Sequence, residues 1–567
     1  MMKKSQFGAL VLGLIVIISL LQCQSTEEKE LEPQLDAYFE QLVFNKSEDL
    51  NGKNKPGLSV IITKKDSVFY KGNFGSANLD EKSLITETTI FDIASVSKQF
   101  TAMAIALLEE KGEIDINDKI VKYLPDLSVA MRDITIYQLV HHTSGIRDWP
   151  TLFALKGWLP EEPLLLDDIY EVIKKQESLN FTPGTEFLYS NSNYNLLAKI
   201  VEAVTDTAFE SWMHDNIFVP IGMENTYFVD TNISEENVIA DSYVFNDNNY
   251  LSFSNNLSAP GSSSLMSSSS DMSKWLINFN RKTLGGDIAF SKIIQEGKLG
   301  NSKTIDYGYG LYITEIKDKK AYYHDGAWGG YRSGIVYFPE ENIGVVILSN
   351  NGTLHPLEII NDVADILFGE GTEKKTEESE PKEQKVNDEF FALCAGKYEQ
   401  VDDKGCYLTF FKEGDEYFLN MYEKNRKLFA KSDSVYFIKE AKVEFVFHLR
   451  NGKVNSHTLV GKTGNRYLAL RVEEDKKEVN INYDKLTGTF YSKELDVKYE
   501  IRYMNDELKI QGPIFSDDII IEHSEDLVFN SNSGVIESVS FLEENGVIIS
   551  MIINNPRAKN LLFEKIN

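Results

Sequence analysis

Cysteine is scarce, with 3 in 567 residues. There is no Cys-x-x-Cys pair, and none of the 8 histidines falls in a His-Glu-x-x-His pattern. That excludes the usual zinc spacings and a disulfide-built scaffold, so neither a metal nor a cofactor is expected. Basic charge is also in deficit: 58 Lys and Arg against 87 Asp and Glu give a net charge of −29. Such a balance argues against nucleic acid as a partner and favours solubility. Beyond residue 21 no apolar run is long enough to span a bilayer. What remains is the composition of a folded protein, 42% hydrophobic and 11% aromatic, with a length that predicts about two to four domains.

The chain opens with Met1-Met2-Lys3-Lys4, an apolar run from Phe7 to Leu21, then Gln22-Cys23. A basic start before a short apolar run is secretory in type. It resembles a bacterial lipoprotein signal, which makes 1–22 a signal peptide, Cys23 the lipidated residue and 23–32 an acidic tether. The expected address is the cell envelope, membrane-held through lipid, with a soluble periplasmic or secreted form as the alternative. Cys394 and Cys406 are expected as buried thiols rather than a pair.

Residues 33–50 read as a helix, and Leu58–Ile62 and Ser67–Tyr70 as a hairpin around Lys64-Lys65-Asp66. A mixed, largely helical stretch follows. Strand-like runs return at Tyr307–Ile316, Ala321–Asp325, Gly334–Phe338 and Gly344–Ser349, before a helical segment over His355–Phe368. This order predicts an α+β domain over 33–368, one antiparallel sheet built from both ends of the segment with a helical lobe inserted. Residues 369–388 are Glu-, Lys-, Ser- and Thr-rich, a solvated linker. Beyond it short strands and turns dominate. Gly396-Lys397-Tyr398-Glu399 and Gly488-Thr489-Phe490-Tyr491 open two loosely similar parts. They predict two small antiparallel β-barrel-like domains, 389–475 and 476–567.

Chemistry concentrates at Ser95-Val96-Ser97-Lys98, ahead of the apolar helix pattern Phe100–Leu108. A serine hydroxyl needs a neighbouring base to become a nucleophile, and a lysine kept neutral by its surroundings is such a base. Three-residue spacing puts both side chains on one helical face. The motif alone is weak, since Ser379-Glu380-Pro381-Lys382 repeats it in the charged linker. Three further signals lie in the same domain: Tyr189-Ser190-Asn191 after a turn-forming stretch, His324-Asp325-Gly326 before Ala327-Trp328-Gly329-Gly330, and His141-His142-Thr143-Ser144-Gly145.

In that order these motifs resemble the serine β-lactamase and penicillin-binding-protein superfamily, nearest its class C-like branch, which includes esterases and D-aminopeptidases. The likeness extends to Pro220-Ile221-Gly222-Met223-Glu224-Asn225-Thr226. It implies Ser95 as nucleophile, with Lys98 accepting its proton or keeping Tyr189 ionised. Tyr189, its pKa lowered by that ammonium, relays protons. Asn191 holds Lys98 and the substrate amide, and His324 stands where β-lactamases carry the lysine of Lys-Thr-Gly. Gly326 lets substrate approach the strand, and Ser95 and Ala327 supply oxyanion N–H groups. The Lys462-Thr463-Gly464 copy lies in the tail and is read as a turn. Two departures matter: Gly261-Ser262-Ser263-Ser264 replaces paired glycines, expected at the cleft rim, and histidine at 324 removes a permanent cation. His141 and His142 are expected in a scaffold turn, and Trp149 and Trp158 either in the acyl pocket wall or in the core.

The expected activity is acyl-enzyme hydrolysis of an ester or amide, the substrate a small molecule, a D-amino-acid peptide or a peptidoglycan-derived peptide. A true β-lactamase or D,D-peptidase is the alternative. A penicillin-binding sensor that acylates without turnover is the non-enzymatic reading.

Overall fold

The computed structural model describes residues 31–44, 54–228, 238–246, 249–369 and 383–566, apart from 401–405, 415, 422–423, 440–442, 451–452, 462–465, 473–480, 514–518, 526 and 532. Cys23 and the signal, residues 24–30 of the tether, most of the linker and Lys462-Thr463-Gly464 therefore lie outside the described residues. Among the described residues no helix is long and apolar enough to cross a membrane.

Six antiparallel strands form the sheet: β1 (Leu58–Lys64), β2 (Ser67–Phe74), β3 (Tyr312–Ile316), β4 (Lys319–Trp328), β5 (Tyr331–Phe338) and β6 (Ile343–Ser349), in the order β3-β4-β5-β6-β1-β2. β1 pairs with β6 from Leu58 opposite Ser349 to Lys64 opposite Ile343, so the two ends of the domain close one sheet. Both strands are β-branched, apolar runs buried almost throughout, as central strands covered on both faces must be. One face packs on the helical residues 31–44, through Leu35, Phe39 and Val43, and on the helix Pro356–Phe368. The helix Ser269–Arg281 covers the other, with Leu276 against Gly344. The expected strand from Tyr307 begins only at Tyr312; Tyr307 instead turns its backbone carbonyl to His141 Nδ1 at 3.0 Å.

Two compact units emerge: residues 373–482 form one, and 1–372 together with 483–567 the other. In the smaller unit the helix Asp388–Cys394 is capped by the Asn387 side chain, so this helix starts at the last residue of the segment read as linker. Nine antiparallel strands follow. The two edge strands, Lys424–Lys427 and Phe429–Ser432, are consecutive in sequence and flank buried Leu428. The sheet is a nearly closed barrel. Strands from Gly488–Ser492 to Ala558–Lys565 make the second barrel, which closes by pairing Phe490 with Lys565. The two opening motifs match in structure: Gly396 and Gly488 have φ of 144° and 138°, and Tyr398 and Phe490 are both fully buried. Cys394 and Cys406 are buried thiols, not a disulfide.

Candidate active site

Ser95 sits in a 3-10 turn, Ala94–Ser97, that runs directly into the helix Lys98–Glu110. In a 3-10 turn residues i and i+3 eclipse, which stacks the lysine over the serine more closely than an α-helix does. Ala94 holds φ at +47°, a left-handed conformation that costs an alanine energy. Asp92 offsets that cost by accepting the Ala94 N–H at 2.7 Å. Buried Asp92 is pushed up to about 6 by desolvation, against hydrogen bonds from Ala94 and Asn255 that favour its charged form. Asn255 also accepts the Trp328 indole N–H at 2.8 Å, so one carboxylate ties the nucleophile turn to the end of β4.

The environment of the Lys98 amine decides its chemistry. Nζ lies 2.8 Å from Asn191 Oδ1, 2.7 Å from the Ser262 carbonyl oxygen and 3.1 Å from Ser95 Oγ. The first two oxygens can only accept hydrogen bonds, so they take the two N–H groups of a neutral amine. Its lone pair then faces the serine hydroxyl. Burial drives the Lys98 pKa well below the usual lysine value, with Asp148 opposing the shift. An uncharged amine aimed at a hydroxyl is a general base.

Tyr189 is brought to the same place: Lys98 Nζ is 4.9 Å from its ring centroid, and the phenol hydrogen-bonds Ser95. Its electrostatics differ from the expectation. Desolvation raises the phenol well above 10, outweighing the Ser95 hydrogen bond. The ammonium that was to lower it is disfavoured, because burial also drives Lys98 toward its neutral form. Tyr189 is a protonated phenol at neutral pH.

Asn191 starts the helix Asn191–Thr205, and Asp148 positions it. The Asp148 carboxylate accepts the Asn191 backbone N–H at 2.7 Å and its side-chain amide at 3.0 Å, which turns the amide oxygen toward Lys98. A carboxylate at a helix N-terminus also suits the dipole. Burial raises the Asp148 pKa, opposed mainly by Arg557.

His324 is buried beside Tyr189, with ring centroids 6.0 Å apart, and meets the Tyr307 hydroxyl at 3.2 Å. Burial, then Lys98, pushes it down to about 3, so it is neutral. Gly326 has a packing task as well. A β-carbon there would lie 2.5 Å from the Ile93 carbonyl oxygen and 2.9 Å from Ser95 N. The glycine lets β4 press against the nucleophile turn. Ala327 follows, exposed, on the strand edge beside it. The serine-rich turn at 261–264 lies under the site rather than at its rim: Ser262 and Ser264 are fully buried, and the Ser262 carbonyl holds Lys98.

The histidine pair is scaffold. His142 packs 4.4 Å from the Tyr189 ring and its Nδ1 accepts the Ser190 N–H at 3.2 Å. Trp149 is core, whereas Trp158 is partly exposed and stacks on Trp328, 6.3 Å between ring centroids, next to Ala327. Sequence reasoning missed Asp92, Asp148, Ser262, Tyr307 and Arg557. Of these only Asp148 carried a local signal, an acid directly before the Trp149-Pro150 helix start.

The second barrel is wired into this region. Arg147, fully buried, donates to Glu494 at 2.5 Å, to Gln176 at 2.6 Å and to the carbonyls of Lys559 and Asn560 at 2.7 Å. Tyr499 donates to the Leu155 carbonyl at 2.9 Å. Next to Arg147, Asp148 meets Arg557 at 3.3 Å.

Known proteins resemble this chain to different extents. The chain is 27% identical over 435 residues to penicillin-binding protein 4* of Bacillus subtilis, across 73% of this chain and 94% of that protein. It is 29% identical over 313 residues to protein flp of Staphylococcus aureus, across 53% of this chain and 61% of that one. In fold it resembles the octameric penicillin-binding protein homologue from Pyrococcus abyssi, with a TM-score of 0.54 at 23% identity over 73% of this chain and 95% of that one. A family model described as Beta-lactamase matches residues 35–369. With that span covering the sheet, the helical lobe and the Ser95 turn, the chain belongs to the β-lactamase family, within the serine β-lactamase and penicillin-binding-protein superfamily.

Proposed function

We propose that this protein is a serine hydrolase that forms an acyl-enzyme on Ser95 and hydrolyses an ester or amide. The three-way environment of Lys98 Nζ supports the reading most directly, because two obligate acceptors leave the lone pair pointing at Ser95 Oγ. Lys98 takes the Ser95 proton as Oγ attacks the carbonyl carbon. The oxyanion that forms faces the backbone N–H groups of Ser95 and Ala327, each such donor contributing about 3 kcal/mol of transition-state stabilisation. When the intermediate collapses, the Tyr189 hydroxyl gives its proton to the departing oxygen or nitrogen and regains one from the Lys98 ammonium. The amine is then neutral again. Water attacks the acyl group by the same relay in reverse, and the proton returns to Ser95 Oγ.

Esters and amides come first as substrates, D-amino-acid peptides second and β-lactams third, because the neutral His324 supplies no cation from β4. The complete proton relay favours turnover over a sensor that acylates and stops. A chromogenic short-chain ester and a fluorescent penicillin separate the two: continuous release supports the hydrolase, and a stable label without release supports the sensor. Ser95→Ala should abolish both signals. Turnover retained in that variant refutes the mechanism.

A further inference from the structure

We propose that Arg557, carried by the last hairpin turn of the second barrel, is a specificity-determining residue that binds an anionic group on the leaving-group side of the substrate. This inference rests on the hydrolase reading above and names the substrate class of the same site. The Arg557 guanidinium carbon lies 5.5 Å from the centroid of the Tyr189 ring, the ring that Lys98 Nζ approaches to 4.9 Å. It therefore stands at the group assigned to protonate the leaving atom. Its side chain is 50% exposed, and among the described residues a single contact, Nη1 to Asp148 Oδ2 at 3.3 Å, engages its five N–H donors. Nε and Nη2 remain available, in the planar fork geometry that matches a carboxylate or phosphate.

The turn is built to hold that position. The Arg557 carbonyl accepts the Asp148 N–H and the Asn180 side-chain N–H, both at 3.1 Å. Asn180 Oδ1 in turn accepts the Lys559 N–H at 2.7 Å, and the Arg557 N–H donates to Asn555 Oδ1 at 2.9 Å. Charge gives the position its meaning. Lys98 and His324 are both driven toward their neutral forms, whereas Arg557 brings a permanent positive charge to the Tyr189 ring. It restores from the barrel what histidine removes from β4. Asp325, exposed on β4, places the opposite charge on the strand side and confines the anion site to the barrel side.

The test compares m-carboxyphenyl phenylacetate with its neutral isostere, m-carbamoylphenyl phenylacetate, on the full chain. Wild type should favour the carboxylate ester in kcat/KM by about tenfold or more, and added salt should shrink that ratio. Arg557→Ala and Arg557→Gln should bring the ratio near one, and Arg557→Lys should keep part of it. Any disturbance of Asp148 acts on both esters and cancels in the ratio. A preference that survives loss of the guanidinium, or no preference in wild type, overturns the proposal. Binding of 3-carboxyphenylboronic acid against 3-carbamoylphenylboronic acid gives a second readout that needs no turnover. If wild type hydrolyses neither ester, the hydrolase reading fails while the boronate pair still decides the anion site: selectivity lost in Arg557→Ala supports it, and its absence in wild type overturns it.

Discussion

The two β-barrels open with the same glycine-x-aromatic motif and differ in which compact unit they join. The first, inside the unit 373–482, buries its own aromatic core of Tyr398, Phe410, Phe445 and Phe447 and keeps its polar anchors internal, as where Arg471 donates to the Tyr398 hydroxyl at 2.8 Å. The second shares one compact unit with the catalytic domain and spends its polar groups across the junction, through Glu494, Tyr499 and Arg557. A shared architecture therefore says little about role. What differs is where the buried charges find their partners.

The largest effect should come from the catalytic side. Lys98→Ala removes the base and should lower kcat/KM by about 10²–10⁴-fold, whereas Phe410→Ala, with a core cost of about 3–5 kcal/mol confined to the other unit, should leave turnover intact while its own melting transition falls. Turnover lost in Phe410→Ala would break the distinction between the barrels. The pH profile sharpens the same point: with Lys98 lowered and Tyr189 raised, kcat/KM should climb as pH rises through a lysine value well below the usual one and fall only in strong alkali.

Next in size is the junction. Arg147→Ala leaves the Glu494 carboxylate buried without its partner, and breaking such a pair costs about 3–5 kcal/mol. Calorimetry should show the transition of the catalytic unit fall while that of 373–482 stays in place. A smaller effect of opposite sign is expected at His457, fully buried among Tyr398, Phe410 and Phe447 with neither ring nitrogen hydrogen-bonded among the described residues. His457→Phe should stabilise the smaller unit by about 1–3 kcal/mol. It should also remove acid sensitivity: burial lowers this histidine from 6.5 to about 3, so the unfolded chain binds the proton first, and stability present above pH 6.5 drains away as pH falls toward 3. Melting curves from pH 7 to pH 4 would show it. Tyr499→Phe, which deletes one hydrogen bond at the junction, should cost the catalytic unit about 1 kcal/mol.

Legibility followed sequence distance. Ser95 and Lys98 are three residues apart, Tyr189 and Asn191 two, and each pair announces itself because one turn or helix start fixes its geometry. The β1–β6 pairing was readable from two β-branched apolar runs that needed cover on both faces. Asp148 and Arg557 meet across 409 positions, and nothing local in Asn-Pro-Arg-Ala marks that turn as different from any other hairpin. The ionisation of Tyr189 was misread for a related reason. Sequence supplies the neighbouring amine but not the burial that drives it toward its neutral form and raises the phenol.

The adjacency of Arg147 and Asp148 has a consequence for biosynthesis. The hydroxyl, amine and phenol all leave the ribosome well before the turn that bears Arg557, so a nascent chain holds its reacting groups while still lacking their guanidinium neighbour. On the proposed reading, the anion site is complete only once the hairpin that bears Arg557 has docked against Arg147 and Asp148.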